Sequence, residues 1–230
     1  MVAIILAGGF GTRLQSIIKD KPKPMAEING KPFLEYLFQY LIINKITRII
    51  LSVGYKHEVI SDYFGSNYKG VGISYIVESS PLGTGGAIKK CLLNINEKKA
   101  FILNGDSFLN ISLSLLNYKY KNSNSPLLLS LKNMKKFDRY GSVEIDNFDN
   151  IVGFKEKAYR EDGYINGGIY LISTSIFINY NLPEAFSFEK FIQNNFASLH
   201  PIGVRSNGYF IDIGIPSDYQ RAQIEFQNFL

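Results

Sequence analysis

Four charged side chains carry the chemistry this sequence offers: Arg13, Lys23, Asp106 and Asp212. Arg13 closes a glycine-rich stretch, LAGGFGTRL, in which Leu6 and Ala7 end an apolar run and Gly8, Gly9, Gly11 and Thr12 follow. Glycines there let the backbone turn sharply and bring several N–H groups to an anion without side-chain clash. Arg13 adds a fixed charge of the shape that grips phosphate oxygens. Lys23 stands between Pro22 and Pro24, and the fixed φ of each ring and the extended bias before proline stiffen its loop. The combination reads as a cradle for a polyphosphate. It is neither of two better-known loops. Leu14 occupies the third glycine position of G-x-G-x-x-G, and Gly-Thr-Arg stands where a Walker loop needs Gly-Lys-Ser/Thr.

Asp106 ends a strand at Asn104-Gly105-Asp106, where a carboxylate suits Mg²⁺, a hard ion that takes oxygen ligands and bridges to phosphates. N-G-D is also good turn chemistry on its own, and spacing alone leaves the two readings level. Asp212, in YFIDIGIPSDY, shares one metal with Asp106 only if both strand ends face the same crevice. Asp218, just beyond, reads as a helix-start residue. A second glycine-rich stretch, ESSPLGTGGA, carries Glu78, Gly83, Thr84, Gly85 and Gly86. Its backbone could read base edges where the glycines allow close approach. An ionised carboxylate is acceptor-only, so Glu78 matches the two donors on one edge of guanine. A simple ion pair with a nearby lysine is the plain alternative.

The elements that must position these groups follow from patterning. Val2 to Ala7 is an unbroken apolar run, as in a strand buried on both faces. Asn29-Gly30 signals a turn, Pro32 suits the first turn of a helix, and Leu34, Leu37, Phe38 and Leu41 recur at helical spacing. Strands are expected at 48–53, 73–77 and 100–103, with helices at 56–64 and from the glycine loop to about Leu93. This alternation argues for a doubly wound α/β sheet, which binds ligands at the carboxyl ends of its strands. The second half predicts helices at 112–121, 174–180 and 187–196, strands at 126–132, 141–146, 150–155, 165–172 and 208–212, and a helix from Pro216.

A chain of 230 residues with 46% apolar content fits one compact soluble domain, 1–230, and no apolar run is long enough to span a bilayer. The residues before the first strand give no reason to expect a leader. A single cysteine, Cys91, fits a reducing, cytoplasmic setting and a packing role. With only His57 and His200 beside it, a structural zinc site is not expected. The net charge of +5 comes from dispersed lysines without a nucleic-acid recognition motif. Anionic small molecules, rather than nucleic acid or membrane, are the expected partners. A homodimer is left open.

The string LAGGFGTRL, followed by KPKPM, resembles the signature of sugar-1-phosphate nucleotidyltransferases, and the resemblance runs over essentially the whole chain in the family's motif order. It implies a Rossmann-like, mostly parallel, three-layer α/β/α sheet of the nucleotide-diphospho-sugar transferase type with a small additional antiparallel region. The nucleotide-binding half would be 1–110 and the sugar-phosphate half 111–230. It places Mg²⁺ on Asp106 and Asp212, with Gly105 beside the sugar phosphate. The pair Glu156-Lys157 in GFKEKA resembles the family's EK pair, Lys157 for the sugar's phosphate and Glu156 for its hydroxyls. Asn166-Gly167-Gly168 resembles the N-x-G segment, Asn166 contacting sugar hydroxyls and Gly167 letting the ring lie against backbone. No hexapeptide repeats follow, so an acyltransferase activity is not expected.

The implied reaction is in-line attack of a sugar-1-phosphate oxygen on the α-phosphorus of an NTP. Within the family, MVAIILAGGFGTRL and KPMAEINGKPFLEYL look most like bacterial D-glycero-α-D-manno-heptose 1-phosphate guanylyltransferases, which use GTP. Mannose-1-phosphate guanylyltransferases come next, then hexose-1-phosphate uridylyl- or thymidylyltransferases. Outside the family stand a glycosyltransferase, whose Asp-x-Asp motif Asp146-Asn147-Phe148-Asp149 does not match, and an inactive regulatory homologue, which intact Arg13, Lys23, Asp106 and Asp212 argue against.

Overall fold

The computed structural model describes residues 1–9, 18 and 21–228. In chain order, β1 (Val2–Ala7) is followed by a 3-10 turn at Lys23–Met25, then by β2 (Glu27–Ile28) and β3 (Lys31–Pro32). These two form a hairpin through Asn29 and Gly30, at φ 50° and 77°, the left-handed pair that such a turn demands. Pro32 sits immediately before α1 (Phe33–Ile43) rather than inside it. Next come β4 (Arg48–Val53), α2 (His57–Phe64), β5 (Asn67–Tyr68), β6 (Val71–Val77), α3 (Gly83–Leu92), β7 (Lys99–Asn104) and β8 (Ser107–Leu109). The remainder comprises α4 (Leu113–Lys121), β9 (Leu127–Phe137), β10 (Ser142–Ile145), β11 (Ile151–Lys155), β12 (Arg160–Ser173), α5 (Phe188–Leu199), β13 (Ile202–Ser206), β14 (Phe210–Asp212) and α6 (Pro216–Glu225).

Strand β1 is central. It pairs in parallel with β4 on one side and β7 on the other, and β4 pairs in parallel with β6. Beyond β7 the sheet continues with antiparallel β12, which also pairs β9 and β10. The antiparallel strands therefore extend the same sheet. Period-two alternation sends Ala3, Ile5 and Ala7 to one face, packed with α1, α2, α4 and α6. Val2 and Ile4 go to the other, packed with α3 and α5. The result is helix, sheet, helix in three layers.

Three expectations need correction. Residues 174–179 are successive turns, not a helix: Ile176 N donates to Ser173 O and Ile178 N to Ser175 O. There the Ser173 hydroxyl takes the Ser175 N–H and competes with helical pairing. The glycine stretch after β6 is loop only as far as Leu82, because α3 starts at Gly83. A strand at 202–206 was not expected; it adds in parallel to the edge of β9.

Candidate active site

The site forms where β1 and β7 end side by side, Leu6 opposite Asn104. Gly105 N then donates to Leu6 O at 3.0 Å, and a Cβ on Gly105 would stand 2.5 Å from that same oxygen. Only glycine lets the chain cross so close, and the crossing delivers Asp106 to the strand ends. The short β8·β14 pair brings the distant C-terminal segment alongside, with Asp212 opposite Ser107 and Ile213 N donating to Asp106 O at 2.9 Å. Lys23, opening its 3-10 turn after Pro22, reaches both carboxylates: Nζ lies 2.5 Å from Asp106 Oδ2 and 4.0 Å from Asp212 Oδ1. Gly214 belongs to the same knot. Its N–H donates to Asp212 Oδ1 at 2.7 Å, and a Cβ there would meet that oxygen at 2.7 Å and Lys23 Nζ at 2.9 Å.

Burial and the neighbouring Asp106 push the Asp212 carboxyl above its ordinary range, against the opposing pull of Lys23 and the Gly214 N–H. Two carboxylates crowded in this way favour a cation between them. Among the described residues no group of three or more His, Cys, Asp or Glu could hold a metal. Two carboxylates completed by phosphate oxygens and water are nevertheless the donor set that suits Mg²⁺.

A cleft of about 400 Å³ opens over these groups, and Leu6, Ala7, Gly8, Gly9, Lys23, Glu78, Gly83, Thr84, Gly105 and Asp106 all line it. Gly11, Thr12 and Arg13 lie outside the described residues. Glu78 does not pair with a lysine among the described residues. Its carboxylate accepts from Ser52 Oγ at 2.8 Å and from Leu82 N at 3.3 Å, and it lies across Gly8, where a Cβ would come within 2.4 Å of Oε1.

The glycines of α3 serve packing. A Cβ on Gly83 would meet Phe186 O at 2.6 Å, one on Gly85 the Phe186 ring at 2.2 Å, and one on Gly86 Glu184 O at 2.3 Å. The Gly85 and Gly86 N–H groups are both taken by Phe186 O, so they are not free to read a base. Cys91, farther along α3, is buried and its thiol is pushed up to about 12, chiefly by burial, which suits packing rather than nucleophilic chemistry.

Asn166, Gly167 and Gly168 form an irregularity in β12, between Asn166 and Tyr170. A Cβ on Gly168, at φ 77°, would run into Ser107 and Asn104, and one on Gly167 into Leu109 and Ser130, which sets this bulge against the floor that carries Asp106. Asn166 Oδ1 accepts from Gly168 N at 3.0 Å and its Nδ2 donates to Tyr170 Oη at 2.6 Å, so the amide holds the bulge. Glu156 and Lys157 lie on the exposed connection between β11 and β12 and are not brought into the cleft. Sequence reasoning missed Glu189, which lines the cleft from the first turn of α5. Its only local signal is the cap Ser187, and nothing in the spacing ties it to Thr84, whose hydroxyl donates to it.

A family model described as nucleotidyl transferase matches residues 2–228. The chain is 51% identical over 219 residues, 95% of its length and 97% of the relative's, to a D-glycero-alpha-D-manno-heptose 1-phosphate guanylyltransferase of Campylobacter jejuni subsp. jejuni serotype O:2. It is 47% identical to the enzyme of the same name from Aneurinibacillus thermoaerophilus, over the full length of both chains. A crystal structure of HddC from Yersinia pseudotuberculosis complexed with GMP-PN superposes with a TM-score of 0.87 at 38% identity, covering 98% of this chain and 99% of that one.

Proposed function

The chain belongs to the nucleotidyl transferase family, and from that premise we propose that it transfers GMP from GTP to D-glycero-α-D-manno-heptose 1-phosphate, releasing pyrophosphate and forming GDP-heptose. One observation carries the reading: Lys23, Asp106 and Asp212, from distant parts of the chain, meet beside one cleft that Lys23 and Asp106 line. The reacting oxygen belongs to the sugar phosphate. It attacks the α-phosphorus in line, the bond from that phosphorus to the bridging oxygen breaks, and pyrophosphate leaves with the electron pair. No protein nucleophile is required. The obstacle is repulsion between two polyanions, so the protein's task is positioning and charge neutralisation.

In this reading Lys23 turns to the α-phosphate and Arg13 neutralises the β- and γ-phosphates. Gly8, Gly9, Gly11 and Thr12 present backbone to them, with Leu6, Ala7, Gly83 and Thr84 forming the remaining nucleotide wall. Glu78 accepts from the guanine edge. Asp106 and Asp212 would hold a divalent cation, Mg²⁺ by donor chemistry, which when bound offsets negative charge on the nucleotide. Gly105, Asn166 and Gly167 border the sugar phosphate, and the family resemblance assigns Lys157 and Glu156 to its phosphate and hydroxyls. Residues 1–230 act as one domain, with a nucleotide half to about 110 and a sugar-phosphate half beyond.

No helix among the described residues is long and apolar enough to cross a membrane; with one buried thiol, we place the protein in the cytoplasm and leave a homodimer open. Pyrophosphate release measured for the common NTPs against heptose, mannose and glucose 1-phosphates tests the whole reading. GTP with the heptose phosphate is expected to give the highest kcat/KM. A clear preference for UTP or dTTP would overturn the guanine assignment, and silence with every pair would overturn the activity.

A further inference from the structure

Asp218 stands in the first turn of α6. An acid there favours the helix start even when exposed, but this one is buried, its side chain 8% accessible, and each oxygen faces a different arginine. Arg139 Nη2, on the connection between β9 and β10, donates to Oδ2. Arg221 Nη1, one turn along α6, lies 3.2 Å from Oδ1. The three side chains line a second cavity, of about 320 Å³, together with Tyr140 and Phe210.

The two pairs differ in what they join. Arg221 lies on the same helix as Asp218 and also pairs with Glu225, so it binds α6 to itself. Arg139 joins α6 to residues 138–141. Its Nη2 also donates to Tyr140 Oη at 2.9 Å, and its guanidinium carbon lies 5.4 Å from the centre of that ring. Tyr140 in turn packs T-shaped with Phe210, ring centres 5.9 Å apart, on the strand β14 that ends in Asp212. The connection is thus fastened twice to the segment that delivers a carboxylate of the site. Helix α6 is a firm base for it, because Tyr219 Oη and Gln223 Nε2 donate to Glu27 O at 2.7 and 2.6 Å, in the hairpin after Lys23.

At its other end the same connection runs into the sugar-phosphate half. Ser142 pairs with Lys155 on β11 and with Ile165 on β12, the chain neighbours of Glu156 and Asn166. A Cβ on Gly141 would stand 2.8 Å from Lys155 O, so the two backbones touch there. We propose that Asp218 is a positioning residue for the sugar 1-phosphate: through Arg139 it fixes 138–141, and with it Lys155 and Ile165, relative to Asp212. The proposal rests on the functional reading above, which assigns Glu156 and Asn166 to the sugar 1-phosphate and Asp212 to the metal.

Removing one partner leaves a buried charge uncompensated, whereas removing both charges lifts that penalty. Stability and position can therefore be separated. Steady-state pyrophosphate release with both substrates varied, and thermal unfolding, are measured on wild type, Arg139→Met, Asp218→Asn, Arg221→Met and the Arg139→Met/Asp218→Asn double variant. Arg139→Met and Asp218→Asn should each melt lower. Each should also raise KM for the sugar 1-phosphate about tenfold and KM for GTP less than about twofold, in the range of couplings between residues in contact. Arg221→Met should melt lower without moving either KM. The double variant should regain melting temperature yet keep the raised KM. If Asp218→Asn does not fold, the contrast between Arg139→Met and Arg221→Met decides alone. A wild-type KM for the sugar 1-phosphate in Arg139→Met, an equal rise in Arg221→Met, or a KM that recovers with melting temperature in the double variant would overturn the positioning role and leave the functional reading intact. An inactive wild type would overturn the functional reading, and this proposal with it.

Discussion

Asp106 and Asp212 face the same ammonium, Lys23 Nζ, at 2.5 and 4.0 Å, though they come from widely separated parts of the chain. The lysine is the less exposed member of the group, its side chain 14% accessible against 39% and 31% for the carboxylates. Positive charge is therefore held at the floor, with negative charge on either side and the cleft above. The arrangement stores electrostatic tension as well as attraction, because one lysine cannot fully compensate two carboxylates.

That tension has a measurable sign. Burial and Asp106 raise the folded-state pKa of Asp212 above the unfolded value of about 3.8. A carboxyl raised on folding contributes its stability while protonated, and that contribution is lost as pH climbs through the folded pKa. Asp212→Asn keeps the acceptor for Gly214 N and removes the charge. The variant should therefore melt above wild type at pH 7, with the gap closing as pH falls below the unfolded value, while pyrophosphate release collapses. A lower melting temperature at pH 7 would contradict the assigned strain.

Removing the ammonium should act the other way. Lys23→Ala leaves two unshielded carboxylates and takes a charge from the α-phosphate. Turnover should fall about 10²–10³-fold, the range seen when one preorganised charge-stabilising donor is lost. Melting should also drop at neutral pH and recover on acidification. Asp106→Ala should lose comparable turnover. A Lys23→Ala enzyme working within about threefold of wild type would remove this lysine from the reaction.

Residue types at the site were readable from the sequence, whereas their convergence was implied by the family resemblance and not by any spacing. Lys23 stands out between two prolines, whereas Asp106 after Asn-Gly is level with a turn residue by spacing and, like Asp212, takes its metal role from the resemblance. What joins Asp106 to Asp212 is the pairing of β14, inside the strand expected at 208–212, with the three-residue β8, too short for any alternation to mark. The glycines at 83, 85 and 86 were equally visible, but their reason is a chain segment a hundred residues later. The turns at 174–179 misled because Ile176 and Phe177 supply buried apolar groups without the hydrogen bonding of a helix. Glu189 looked like an ordinary first-turn acid, since only tertiary structure gives it Thr84.

The packing reason for the α3 glycines predicts a stability loss. A Cβ on Gly85 would lie 2.2 and 2.3 Å from two carbons of the Phe186 ring, so the ring must be displaced. Gly85→Ala should cost about 1–3 kcal/mol, as overpacking does, read as a lowered midpoint in urea. Pairing it with Phe186→Leu should recover part of the loss. Gly72→Ala, in β6 with nothing near its Cβ position, is the control expected to change little.

The base preference hangs on Glu78. Its two oxygens are fixed from below by Ser52 Oγ and Leu82 N, and Gly8 leaves room for the carboxylate where any side chain would displace it. A carboxylate so held presents only acceptors to the cleft, which suits the N1–H and 2-amino donors of guanine. Glu78→Gln keeps the size and turns one of those acceptors into a donor. The same change removes a mismatch with uracil, whose N3–H lies between two carbonyls. The ratio of kcat/KM for GTP over UTP should therefore fall at least about tenfold, because a donor facing a donor in a desolvated site forfeits the full hydrogen bond. Gly8→Ala, by displacing the same carboxylate, should lower the ratio in the same direction. If both variants keep the wild-type ratio while losing rate equally with each nucleotide, Glu78 supports the loop and the base is read elsewhere.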